Sequence, residues 1–192
     1  MFDELKNLVM TNRSYRRFDN TVKISDDTVK ALIELARNTP SAANRQPLRY
    51  AYSVESELNE KIYTTLKWAG YLSDWDGPEN NERPTSYIIL LTPNDITTAS
   101  MHDEGIVCQT ILLGARALGL GGCILGNVDR ASLKNIMNIP DEYSIKLVIA
   151  LGKPVENVVL KDISSDDDIK YYRDENKTHY VPKIKLDDII LK

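Results

Sequence analysis

A chain of 192 residues, 42% hydrophobic and 27% charged, has the make-up of one globular domain able to bury a core of its own. Its net charge of −4 at pH 7 argues against a general nucleic-acid binder, two cysteines are too few for a disulfide scaffold, and two histidines without ligand spacing leave no metal site. The start, Met1 to Lys6, lacks the basic-then-apolar order of a secretory leader, and the longest apolar stretch, 106–126, is broken by Gln109 and Arg116, so a cytoplasmic chain without a membrane span is expected.

Phe2, Leu5, Leu8 and Val9 recur at helical spacing and predict a short opening helix. It delivers the chain into residues 12–18, where Arg13, Arg16 and Arg17 crowd beside Ser14. Guanidinium forks and a hydroxyl match the oxygens of a phosphate. The same cluster also suits a solvated basic turn, ion-paired to some of the 28 acidic side chains. Ser25 is placed to cap a second helix, with Asp26 and Asp27 favourable to its dipole and Val29, Leu32, Ile33 and Ala36 as its buried stripe. Pro40 forces that helix to stop before it.

Residues 40–47, Pro-Ser-Ala-Ala-Asn-Arg-Gln-Pro, set small and amide side chains between two prolines. Bare backbone groups with Asn44 and Gln46 suit the edge of a flat heteroaromatic ring. A plain helix-to-strand connection, its amides bonding their own backbone, accounts for them equally. Tyr50, Tyr52 and Val54 alternate as a strand, and Ser56 begins a third helix with Leu58, Ile62, Leu66 and Ala69 on one side. The irregular stretch 68–84, with Trp75, Gly77, Pro78 and Pro84, has the composition of a lid or a surface excursion. The apolar run 87–91 predicts a central strand buried on both faces.

A long helix begins at Asp103 or Thr98, and between Gly105 and Gly122 only Gln109 and Arg116 are strongly polar. A helix apolar nearly all round in a chain of this size is expected to pack against a second copy. The glycines at 119, 121, 122 and 126 miss the G-x-G-x-x-G spacing and follow a helix, so they predict a helix stop before a short strand, 123–125. Asp129 caps a helix with Leu133, Ile136 and Met137 that ends before Pro140, and 145–151 forms a strand closed by Gly152-Lys-Pro154. Cys108 and Cys123 sit in apolar runs as buried free thiols. In the tail, 166–168 is an acidic turn, and 169–173 and 179–181 have strand character. Lys183 and Lys185 point the same way if extended, and apolar Leu186, Ile189, Ile190 and Leu191 call for burial on a partner subunit.

Four segments taken together resemble the FMN-dependent nitroreductase family almost from end to end: Arg13-Ser-Tyr-Arg-Arg-Phe18, Pro40-Ser-Ala-Ala-Asn-Arg-Gln-Pro47, Leu118-Gly-Leu-Gly121 with Cys123 to Gly126 behind it, and Pro182-Lys-Ile-Lys-Leu186. The resemblance implies an α+β fold, a mixed, mainly antiparallel sheet flanked by helices, in an intertwined homodimer. It implies one domain, 1–192, whose extension 164–192 packs on the partner subunit. Arg13, Ser14 and Arg16 resemble the family's first FMN-binding segment, and Lys183 and Lys185 match the basic pair that completes the phosphate site. Pro40, Ser41, Ala42 and Asn44 resemble the loop that a second subunit lends to the flavin; Ile124, Leu125 and Gly126 match the backbone beside its reactive edge. The implied activity is reduction of nitroaromatics, quinones or related acceptors by NADH or NADPH, in ping-pong hydride transfer through flavin N5, with no side chain required as acid or base. The alternatives are a specialised flavin enzyme of the same family, such as a dehalogenase or dehydrogenase, and a non-catalytic protein that binds a phosphorylated ligand. Leu48 stands where many members have Trp, and Leu125 where some have an acidic residue near N5.

Overall fold

The computed structural model describes residues 1–96 and 101–191. In chain order its elements are α1 (Phe2–Thr11), β1 (Phe18–Asp19), α2 (Asp26–Arg37), β2 (Arg49–Ser53), α3 (Ser56–Tyr63), β3 (Ser86–Pro93), α4 (Met101–Ala117), β4 (Gly121–Leu125), α5 (Arg130–Ile136), β5 (Tyr143–Pro154), β6 (Val158–Ile163), β7 (Tyr172–Arg173), β8 (His179–Ile184) and α6 (Leu186–Ile189). Local chemistry sets several of these boundaries. Ser25 accepts the Thr28 N–H to cap α2, and Asp129 accepts the Ser132 N–H to cap α5. Gly119, at φ +71°, ends α4 in the left-handed turn that returns the Leu120 N–H to the Ala115 carbonyl.

The main sheet runs in the order β1-β5-β3-β2, with β4 also paired to β5, and every pairing named there is antiparallel. Period-two alternation divides its side chains between two cores. Tyr87, Ile89, Leu91, Val148 and Ala150 meet Ile62 of α3 and Leu133 of α5. Ile88, Leu90, Ile149 and Leu151 meet Val29 and Leu32 of α2 and Cys108, Ile111 and Ala115 of α4 on the opposite face. A smaller sheet, β6-β8-β7, has β6 parallel and β7 antiparallel to β8. The result is the mixed, mainly antiparallel sheet flanked by helices that the resemblance implies. Among the described residues no helix is long and apolar enough to cross a membrane.

Two expectations are revised, and a third, the burial of α4, is only partly met within one chain. Helix α3 stops at Tyr63, so Leu66 and Ala69 enter the core from irregular chain, Leu66 through a bridge to Val128 and Ala69 at φ 42°. Gly152-Lys-Pro154 does not close β5: the strand continues to Pro154, where Phe18 pairs with it, because Gly152 leaves room for the Phe18 ring. Helix α4 buries Val107, Cys108, Ile111, Leu112 and Ala115 but leaves Ile106 and Gln109 open, so it is covered on one side within the chain. The alternative start at Thr98 lies outside the described residues. Strand β6 was not among the predicted elements, although Val158, Val159 and Ile163 are β-branched; of its residues only Ile163 is buried.

Gly122 is where β4 presses closest on β5, and an added Cβ would collide with the Ala150 carbonyl and the Leu112 and Leu151 side chains. Gly122→Ala is therefore expected to cost about 2 kcal/mol in thermal unfolding, while Gly70→Ala, with nothing within 4 Å, leaves the midpoint nearly unchanged.

Candidate functional site

The basic segment 12–17 is held by backbone before any of its side chains act. Ser14 forms a bridge to Gly122, and the Tyr15 N–H donates to the Gly122 carbonyl at 3.0 Å. This places the segment beside β4, two residues before Ile124. The three arginines then diverge. Arg17 donates from Nε and Nη2 to the two carboxylate oxygens of Glu82, and that pairing raises its pKa. The ion-paired reading of the cluster thus holds for Arg17, although the pair is largely buried rather than solvated. Arg13 gives one bond, Nη2 to the Val9 carbonyl at 2.7 Å, and its buried Nε has no partner. Burial pushes its pKa down, and among the described residues it forms no ion pair. It is a partly desolvated cation with an unpartnered donor.

Arg16 turns inward. Its N–H donates to Glu156 Oε2 at 2.9 Å, and Nη1 approaches the Ser14 carbonyl and, at 3.4 Å, His179 Nε2. Its guanidinium lies 4.8 Å from the centroid of the Tyr171 ring, and its buried Nε has no partner. Glu156, its carboxylate fully buried, also accepts from Arg173. Guanidinium only donates, so His179 Nε2 is the acceptor there and the ring proton sits on Nδ1, 3.9 Å from Glu156 Oε1. Burial dominates the His179 environment and drives its pKa down to about 4; Glu156 opposes this, and Arg16 and Arg173 reinforce it. The two chain ends do converge, but through Arg16 and His179.

Lys183 and Lys185 are elsewhere. Lys183 stands opposite Asp162 in the β6–β8 register, and the Lys185 N–H donates to Ile163; both side chains are exposed. Four residues beyond His179 on an extended strand, Lys183 is about 13 Å further along, with Lys185 beyond it. The extension 164–192 is itself divided. The Tyr171 ring packs at a tilt against those of Tyr71 and His179, and Arg173 lies 4.1 Å over the Trp75 ring, so this part packs on its own chain and on the 68–84 segment. Leu186, Ile189, Ile190 and Leu191 stay exposed.

The loop 40–47 folds as a short 3-10 turn, Ala42–Asn44, with Ala43, Asn44 and Gln46 all in the left-handed region. Ser41 Oγ donates to Asp103 Oδ2 at 2.6 Å, and the Ala42 N–H donates to Oδ1 at 3.2 Å. Pro40, Ala42 and Asn44 are exposed, and Gln46 Nε2 donates to Asn44 Oδ1. Behind the loop lies a cavity of about 270 Å³, lined by Pro40, Ser41, Tyr50 and Asp103 among others. On β4, Ile124 is exposed, Leu125 is buried in the core, and the Gly126 carbonyl accepts from Arg130. Helix α4 separates the two halves. Asp103 anchors the loop near its start, while Arg116 near its end donates to Thr11, just before the basic segment. Thirteen helical residues span about 20 Å. One chain therefore brings Arg13, Ser14 and Arg16 beside Ile124, Leu125 and Gly126, and keeps Pro40, Ser41, Ala42 and Asn44 away from them.

Sequence reasoning missed Glu156, Tyr171, Arg173, His179 and Asp103. Each lies far along the chain from the group it serves, so no local spacing signals it.

A model described as the nitroreductase family matches residues 9–70 and 79–153. A protein of Archaeoglobus fulgidus, provisionally named NADH dehydrogenase/NAD(P)H nitroreductase, is 24% identical over 174 residues, which cover 86% of this chain and 92% of its own. The NADPH-flavin oxidoreductase of Vibrio harveyi is 21% identical, with 80% and 67% covered. Among solved structures, an FMN-dependent nitroreductase from Clostridium difficile superposes with a TM-score of 0.63 at 23% identity, covering 82% of this chain and 93% of that one. A nitroreductase-like protein from Streptococcus mutans gives 0.68 at 16%, covering 81% and 91%.

Two outcomes test the buried network. Glu156→Ala leaves Arg173 and the Arg16 N–H without their acceptor, and is expected to cost about 3 kcal/mol by denaturant unfolding. His179 has a lower pKa folded than the 6.5 of the free side chain, so the unfolded chain binds the extra proton. Its contribution is complete above pH 6.5 and is lost as pH falls toward about 4, by at most about 3 kcal/mol. His179→Gln is expected to flatten that part of the stability–pH curve.

Proposed function

The chain belongs to the nitroreductase family of oxidoreductases, and on that premise we propose that it is an FMN-dependent NAD(P)H oxidoreductase, reducing nitroaromatics, quinones or related acceptors at two sites shared within a homodimer. The observation that carries this proposal is the division of the site along α4. The half made of Arg13, Ser14 and β4 lies about 20 Å from the half made of the 40–47 loop, a separation that a second copy of the chain can close. Exposed apolar side chains support the pairing: Phe2, Leu5, Val9 and Met10 on α1, Leu118 after α4, and Leu186 to Leu191 at the tail. The words NAD(P)H, flavin and FMN in the relatives' names point the same way.

The residues present fit such a cofactor. Arg13 carries a desolvated charge and an unpartnered Nε, which a phosphate would satisfy, with the exposed Ser14 hydroxyl beside it. Arg16 keeps one free donor, its Nε, while its backbone N–H on Glu156 fixes the path of the segment. Lys183 and Lys185 add exposed positive charge from the end of β8. Ile124, Leu125 and Gly126 offer a strand edge to a flat ring, and Pro40, Ser41, Ala42 and Asn44 of the second copy cover its other side. Bound FMN supplies hydride transfer at its N5, with NAD(P)H and the acceptor using the same cleft in turn. The chain's tasks are to neutralise the phosphate, hold the ring and exclude water.

The purified protein is expected to show flavin absorption that NADH or NADPH bleaches anaerobically; a colourless protein that takes up no FMN overturns the assignment. Light scattering is expected to give twice the mass of one chain, and a stable monomer at micromolar concentration contradicts the shared site. Arg13→Gln is expected to raise the FMN dissociation constant at least tenfold by fluorescence titration, the loss of a hydrogen bond to a charged group.

A further inference from the structure

The loop 40–47 adopts a conformation that its own residues disfavour. Ala43, Asn44 and Gln46 have φ of 51°, 53° and 47°, and none is glycine. Such a run persists only where surrounding contacts over-determine it. Inside the loop the Asn44 N–H returns to the Ser41 carbonyl, the Arg45 N–H to the Ala42 carbonyl, and the Gln46 N–H to Ser41 Oγ. All three lead back to Ser41 and Ala42. Those two residues in turn hang on Asp103, whose two carboxylate oxygens take the Ser41 hydroxyl and the Ala42 N–H separately. Asp103 is 4% exposed and sits in the first turn of α4, where the helix dipole favours a negative charge. Its attachment is to the helix that also meets the basic segment's approach through Arg116 and Thr11.

We propose that Asp103 is a positioning residue for the flavin: it sets the exposed peptide groups of 40–44 in the form that a bound ring recognises. The proposal rests on the FMN reading above. Asp103 acts through Ser41 and Ala42, on the site completed by the second copy. Because the loop and the basic segment are both tied to α4, Asp103 also registers one half of the site against the same rod that carries the other.

Hydrogen bonding rather than charge makes the link, and the test separates the two. Asp103→Ala removes both acceptors. Asp103→Asn keeps Oδ1 for the Ala42 N–H, and its Nδ2 can donate to Ser41 Oγ once that hydroxyl turns to accept. Full-length wild type and both variants are examined flavin-free by hydrogen exchange and thermal unfolding, then titrated with FMN. Asp103→Ala is expected to speed exchange in the peptide spanning 40–47 about tenfold and to raise the FMN dissociation constant about tenfold, with global protection in the sheet retained. Asp103→Asn is expected to recover both to within about threefold. Should Asp103→Ala fail to fold, Ser41→Ala cuts the same link from the loop side and is expected to produce the same local exchange and affinity change. Unchanged FMN affinity, exchange raised throughout the sheet in step with the loop, or an Asn variant as impaired as the Ala variant overturns the positioning role. A wild type that takes up no FMN overturns the parent assignment instead, and is seen before any variant is compared.

Discussion

Strand β5 is the constraint from which the rest of the molecule follows. A strand buried on both faces must find hydrogen-bond partners along both edges, since water cannot reach its peptide groups. β3 and β4 supply them through most of its length, and at Lys153 and Pro154 the short β1 takes over. Two residues later the chain presents Glu156, whose carboxylate receives the Arg16 backbone and the Arg173 side chain. The N-terminal basic segment and the C-terminal β7–β8 hairpin are thereby fastened to one point just past the end of one strand. Removing the carboxylate would strand a buried cation and a buried N–H together, which is why that point matters more than any single ion pair on the surface.

Helix α4 acts as the second reference. Its buried side packs on the sheet through Cys108, Ile111 and Ala115, so its axis is fixed relative to β4 and β5. One end holds the 40–47 loop and the other meets Thr11. A rigid helix of this length keeps the 40–47 loop and the basic segment about 20 Å apart within one chain. The open side of α4, with Ile106 and Gln109, and the bare apolar residues of α1 and the tail are what a second copy would cover.

Electrostatics then distinguishes three neighbouring arginines that composition cannot tell apart. Arg17 is neutralised by Glu82, Arg16 packs its guanidinium against His179 and Tyr171 while its backbone N–H is held by Glu156, and Arg13 is partly desolvated; among the described residues neither the Arg13 nor the Arg16 side chain forms an ion pair. A partly desolvated guanidinium without an acidic partner is a position that an anion supplied from outside would stabilise. The phosphate of a cofactor is the anion that the proposed function provides.

Local chemistry alone determined a good deal. Ser25 and Asp129 as caps, Gly119 as a helix stop, the doubly buried run at 87–91 and the family itself were legible because each depends on residues within one turn or on order along the chain. The shortened α3, the continuation of β5 through Gly152 and the exposed strand β6 were not legible, because distant packing overrode or replaced the local pattern. The same holds for the site. Its candidate segments, basic and small-residue, could be named from the sequence, but their placement could not. That Arg16 faces His179, that Asp103 holds the loop and that Lys183 stands four residues along β8 from His179, opposite Asp162, depend on contacts between residues up to 163 positions apart, and such contacts exist only once the chain has folded.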